Sequence, residues 1–155
     1  MKKIFLLLII LTFNSCQKKE ITKADLSFKL ISFGSFYGAD ANQIEKFEKI
    51  FDSIRNNSNA KEEDKKLTDF FTKLKTNGLF TSPYINLRIN SDSTLVAYLS
   101  ESDYNKVKGF KHSDLIKRNK KVKLELEIIK KDTGIYYIEK IISVNEVDGQ
   151  TYWKK

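Results

Sequence analysis

KKVKLELEIIKKDTGIYYIEKIISV, residues 120–144, alternates apolar and charged side chains, turns, and runs apolar again. Val122, Leu124, Leu126 and Ile128 share one face of an extended chain, with Lys121, Lys123, Glu125 and Glu127 on the other. That period of two is what a half-buried strand requires. Lys131-Asp132-Thr133-Gly134 supplies a turn. Ile135–Val144 then returns, with Ile138, Ile142 and Val144 expected on its inner face. A two-stranded ribbon with one apolar side needs further elements to cover it.

Working upstream, Ile85, Leu87 and Ile89 alternate, NSDS (90–93) turns, and Leu95–Leu99 completes a second hairpin. Between the hairpins, Asp103–Gly109 and Ser113–Arg118 each suit a short helical turn divided by Gly109. Downstream, Gly149 marks a turn before Thr151-Tyr152-Trp153, an edge-strand candidate. Further upstream the apolar period changes. Ile44, Phe47, Ile50, Phe51 and Ile54 recur at helical spacing after Asp40-Ala41-Asn42-Gln43, which has capping-box spacing. NNSN (56–59) stops that helix, and Asn59 to Glu62 offers a second capping box. Leu67, Phe70, Phe71 and Leu74 form the next stripe, closed by Asn77-Gly78. Leu26 to Phe33 alternates as a first strand, and FGSFYG (33–38) follows as a glycine-punctuated turn.

The fold class expected is α+β: two amphipathic helices packed on an antiparallel sheet of about five strands. Two hairpins separated by a helical insertion resemble the second half of an OB-type barrel. The early helices suit a cystatin- or NTF2-like packing of helix on curved sheet. Both alternatives stay open on the residues alone.

The opening residues have a different character. Met1-Lys2-Lys3 is a short basic segment, and Ile4 to Phe13 an apolar run. Such a run matches a secretory signal and is too short for a spanning helix, which needs about twenty residues. Phe13-Asn14-Ser15 fits the ordinary cleavage pattern poorly at Phe13 and leads directly into Cys16, the only cysteine. The stretch resembles a bacterial lipoprotein signal, in the looser form of Bacteroidetes-type bacteria, with Phe13 and Asn14 departing from the commonest lipobox residues. The resemblance implies that Cys16 carries a thioether-linked diacylglycerol and an acylated amine, with acyl chains such as palmitate. Each buried methylene contributes about 0.8 kcal/mol, so several chains anchor stably. Gln17, in place of aspartate after the cysteine, implies the outer membrane by the enteric sorting rule, with its face open. The expected organisation is a signal peptide over 1–15, a lipidated tether over 16–25 (QKKEITKAD from Gln17) and a single domain over 26–155.

Losing Lys2 and Lys3 from 28 basic residues leaves 26 against 20 acidic, a net charge of +6. With Cys16 lipidated the domain has no thiol, hence no disulfide and no cysteine-based metal site. His112 is the sole imidazole, so a His-rich metal site is excluded; its neighbours Ser113 and Asp114 do not make a triad, which needs side chains converging from separate elements. Asp103, Asp114 and Glu139 are carboxylates that no pattern pairs, and no phosphate loop, nucleophile elbow or metal-ligand spacing occurs. No catalytic residue, metal or cofactor is therefore assigned. The basic stretch 106–123 includes Lys106, Lys108, Lys111, Lys117 and Arg118, with Tyr104 and Phe110 interleaved. It suits an anionic lipid, an acidic glycan or an acidic protein face, or else is an ordinary solvated loop. An exported protein argues against nucleic acid as partner. Tyr37 and Trp153 carry polar tips that favour interfaces, whereas Phe33 suits a core.

These features point to a membrane-anchored, non-catalytic binding or accessory module of the cell envelope. Its partner would be an envelope protein, a glycan or an anionic lipid. Two alternatives stand beside it: an inhibitor or immunity-type protein inserting loop 101–120 into an exported enzyme, and a small carboxylate-dependent envelope hydrolase.

Overall fold

The computed structural model describes residues 19–29 and 34–149. The signal segment, Cys16, Phe33, Tyr152 and Trp153 lie outside them, as does the edge strand expected over 151–153.

The hairpin that sets the fold is present. β4 (Lys120–Asp132) and β5 (Ile135–Asp148) pair antiparallel, with Gly134 at φ +76° in the turn between them. Val122, Leu124 and Leu126 are fully buried. β1 (Glu20–Ser27) pairs with β4 over Glu20–Asp25 and with β2 (Tyr84–Arg88) over Asp25–Ser27. β2 continues antiparallel into β3 (Thr94–Leu99), and β3 closes the ring by pairing parallel with β5. The closed order is β1-β2-β3-β5-β4.

The sheet is thus mixed, which corrects the antiparallel expectation. The reason is parity: strands alternating in direction can close a ring only in even number, so a five-stranded barrel must contain a parallel neighbour. The closed ring departs from an open cystatin- or NTF2-like sheet and is compatible with an OB-like barrel.

β1 also begins earlier than the alternation of Leu26 to Phe33 indicated. Residues 20–25, expected as tether, are strand paired to β4. The inward positions here are Thr22, Ala24 and Leu26, and the polar Thr22 and small Ala24 hide the apolar half of the pattern. On β5 the expected inner residue Ile142 is exposed and Ile141 is buried. The pairing steps from Glu125↔Ser143 to Leu126↔Ile141 and from Glu127↔Lys140 to Ile128↔Ile138, leaving Ile142 and Glu139 as bulged residues. Each bulge adds one residue between successive inward positions, so Ile138, Ile141 and Val144 fall three apart.

α1 (Ala41–Asn56) starts at the expected capping box: Asp40 accepts from the Gln43 N–H and the Gln43 side chain accepts from the Asp40 N–H. α2 (Glu62–Thr76) is instead capped by Lys61 without a side-chain bond, while Glu62, Glu63 and Asp64 occupy its positive first turn. The capping box expected at Asn59 is absent: the helix is capped two residues later, and the Asn59 N–H donates to the Asn57 side chain at 2.9 Å. At the other end Gly78, at φ +69°, forms a Schellman stop: Leu79 N–H donates to Leu74 and Gly78 N–H to Lys75.

Two cores result. The barrel interior packs Leu87, Leu99, Leu124, Leu126 and Ile138, closed by Val107 and Leu115 from the crossover between β3 and β4, which carries α3 (Glu101–Tyr104) and α4 (His112–Lys117). The second core lies between the helical hairpin and the barrel's outer surface. Phe51, Phe71 and Leu74 meet Tyr98 of β3 and Ile135 of β5, with Tyr84, Val96 and Tyr137 beside them. At roughly 1.5–3 kcal/mol for each large apolar side chain buried, this second core is what fixes the helices to the barrel.

Candidate functional site

Residues 34–38, shortly before α1, are held tightly against the barrel. Gly34 lies against the ring of Tyr84, where an added Cβ would come within 2.5 Å of it. The Tyr98 hydroxyl donates to the Gly34 carbonyl, the Ser35 hydroxyl to Ser82 O at 2.6 Å, and the Phe36 N–H to Phe80 O at 2.9 Å. Burial pushes the Tyr98 phenol far above its ordinary titration range. Ser35 Oγ in turn accepts from the Tyr37 N–H, and Gly38 follows at φ +81°, a left-handed conformation that glycine adopts freely.

Tyr37 therefore projects from a fixed backbone with 40% of its surface exposed. Its ring meets Tyr104 edge to face, centroids 5.4 Å apart and planes at 75°. Its hydroxyl donates to Glu101 Oε1 at 3.1 Å, and that bond is the main reason its phenol is held above the usual value. Tyr37, Tyr84, Tyr104, Phe36, Phe47 and Gln43 line a cleft of about 570 Å³, completed by Ser35, Gly38 and Ala39. None of these lining side chains is charged. The cleft offers aromatic faces, phenol hydroxyls and a side-chain amide, the mixed apolar and polar lining of a small-ligand or partner-residue site.

Of the residues singled out in the sequence, the structure brings Tyr37 and Tyr104 together and disperses the basic group. Lys106 pairs with the buried Asp103 at 2.6 Å, and Arg118 grips both oxygens of Glu146 at 2.6 and 3.2 Å. Glu146 raises the Arg118 pKa in return, through that hydrogen bond. Lys120 and Lys121, from the same stretch, bind Asp148 and Asp25. Lys108, Lys111 and Lys117 are exposed and make no ion pair with a described residue. Lys106 and Arg118 thus serve the fold.

The carboxylates left open by the sequence do not converge. Asp103 is taken by Ser100, Lys106 and Ile141, Glu139 pairs with Lys19 at 3.1 Å, and Asp114 contacts its neighbour Ser113. Among the described residues no group of three His, Cys, Asp or Glu side chains is placed to hold a metal ion. His112 stacks on Phe28, centroids 5.2 Å apart. The 101–120 segment is folded onto the barrel by Val107 and Leu115 and presents no extended insertion loop.

A larger cleft of about 780 Å³ crosses the outer face of β1, β4 and β5. Its charges are arranged in complementary cross-strand pairs, Lys23 opposite Glu125 and Asp25 opposite Lys123, with Asp25 also 3.0 Å from Lys121 and 3.5 Å from Arg88. Such pairing stabilises a solvated sheet face and leaves little charge to recruit a ligand.

The sequence did not indicate Tyr84, Phe47, Gln43 or Glu101. Phe47 reads as core from its helical spacing but stands exposed where α1 overhangs the cleft. Tyr84 alternates with inward Ile85, and that is the one signal that would have placed it on the outer surface. Comparison with protein-family models, with curated proteins and with solved structures finds no match for this chain.

Proposed function

We propose that the protein is a lipid-anchored, non-catalytic binding module of the cell envelope, held at the outer membrane through Cys16, whose partner engages the aromatic cleft at Tyr37 and Tyr104. The observation that carries the binding half is the fixed presentation of Tyr37: its backbone is held through Ser35 and its side chain by Glu101 and Tyr104. A surface built this way loses little conformational entropy on binding. The anchoring half is supported by the leader ending at Cys16, and tethering adds effective concentration near envelope partners without new contacts.

The covered barrel face bears on partner class. OB-type barrels bind oligonucleotides and oligosaccharides on the face of their second and third strands. Here the outward residues Tyr84, Val96 and Tyr98 of that face pack against the helical hairpin. With the usual surface for either polymer covered, an envelope protein is the favoured partner.

The test is capture of partners from native envelopes on the intact lipidated protein, compared with the Tyr37→Ala/Tyr104→Ala double variant. A partner retained by the parent and lost from the variant supports the cleft. Equal recovery on both, with the variant still folded, removes it.

A further inference from the structure

We propose that the outer face of β1 around Ile21 rests on the bilayer surface, and that β1 holds the aromatic cleft at its far end, away from the lipid. This rests on lipidation of Cys16 and adds an orientation to it. Glu20 is already fixed in the sheet, opposite Ile128. Four residue steps separate it from Cys16, and an extended chain spans at most about 3.6 Å per residue, so the leash reaches about 14 Å. A domain so short of slack must present to the bilayer the surface beside its first strand residues.

The surface there has the chemistry for it. Ile21 is 65% exposed, the most exposed of the large apolar side chains described, and Ile142 on β5 is also exposed. Glu127, opposite Ile21, pairs onward with Lys140, and Lys23 stands two positions along β1. Glu125 and Glu127 match Lys23 and Lys140 across the strands, so the charge around Ile21 is balanced and the contact rests on the apolar side chain entering the headgroup boundary beside the anchor. The eight residues of β1, at about 3.3 Å each, run from this point to Ser27. Ser27 pairs with Asn86, two positions from Tyr84 of the cleft. Anchor and cleft thus sit at opposite ends of one strand.

The single native cysteine is blocked by its lipid, so one introduced thiol can be labelled uniquely. The full-length lipidated protein carrying Ile21→Cys, Lys140→Cys or Thr81→Cys is labelled with an environment-sensitive fluorophore. Each is reconstituted in vesicles of phosphatidylethanolamine and phosphatidylglycerol containing a spin-labelled quencher lipid. Thr81 is exposed at the cleft end, beside the Ser82 that holds Ser35. The expected result is quenching at positions 21 and 140 severalfold greater than at 81. Equal quenching at all three, or stronger quenching at 81, on protein that floats with the vesicles overturns the orientation alone. Protein that fails to float with the vesicles overturns the anchor and the orientation together.

Discussion

The carboxylate of Asp103 accepts a hydrogen bond from the backbone N–H of Ile141 at 3.2 Å, joining the β3–β4 crossover to the middle of β5. Lys106, bound to the same carboxylate, donates to the Ile141 carbonyl at 3.3 Å. β3 has by then ended, its last pairing being Leu99 with Ile138. The two side chains thus give Ile141 the donor and acceptor that a neighbouring strand would have supplied. A carboxylate with the look of candidate chemistry is a structural clamp.

Asp103→Ala removes that acceptor and leaves a buried N–H unpaired. It should lower unfolding stability by about 1.5–3 kcal/mol, the range for hydrogen bonds to charged groups. Asp103→Asn, which keeps an oxygen for Ile141, should cost visibly less. Urea denaturation of the three proteins, with unchanged slopes, checks the order.

Gly34→Ala places a methyl group into the Tyr84 ring. Overpacking of this kind typically costs 1–3 kcal/mol, so the midpoint of unfolding should fall by about that equivalent. The backbone that carries Tyr37 should also shift, so partner capture should weaken beyond what stability explains. Capture by a comparably destabilised barrel variant provides the control.

Leu115 and Ile116 are neighbours on α4 with opposite surroundings, 2% and 62% exposed. Leu115→Ala opens a cavity in the barrel core and should cost about 2–5 kcal/mol, whereas Ile116→Ala should stay within about 0.5 kcal/mol of the parent. Thermal unfolding of the pair measures the contrast directly.

Tyr37 titrates above its ordinary value because its hydroxyl donates to Glu101. A folded-state pKa raised in this way gives stability that is fully present below the unfolded tyrosine value and lost as pH rises through the folded one. Glu101→Gln should bring the Tyr37 phenol back down, while Tyr98, raised by burial, should not move. Site-resolved NMR titration in alkali distinguishes the two phenols.

Legibility followed the range of the interactions involved. The helical pair, the capping box at Asp40, the glycine stop at Gly78 and the β4–β5 ribbon depend on neighbours close in sequence, and their patterns are plain. The bulges at Glu139 and Ile142 depend on pairing across two strands, so the face of Ile141 could not be read from spacing. Barrel closure between β3 and β5 joins residues some forty positions apart, and no local period encodes it. The cleft was half legible. Tyr37 and Tyr104 stood out as aromatics in turn-like segments, whereas Tyr84 on β2 and Phe47 and Gln43 on α1 join them only through packing of distant elements. The lysine-rich stretch misled because sequence shows charge without showing partners, and Asp103, Glu146, Asp148 and Asp25 take up much of it.

In the proposed function, a single sulfur atom holds this barrel at a membrane. Intact-mass analysis of the protein extracted from its native envelope tests that most directly. A mature chain beginning at Cys16 and bearing a diacylglyceryl thioether plus an N-acyl group is the predicted result. A chain with Cys16 unmodified, or cleaved at another position, would contradict it.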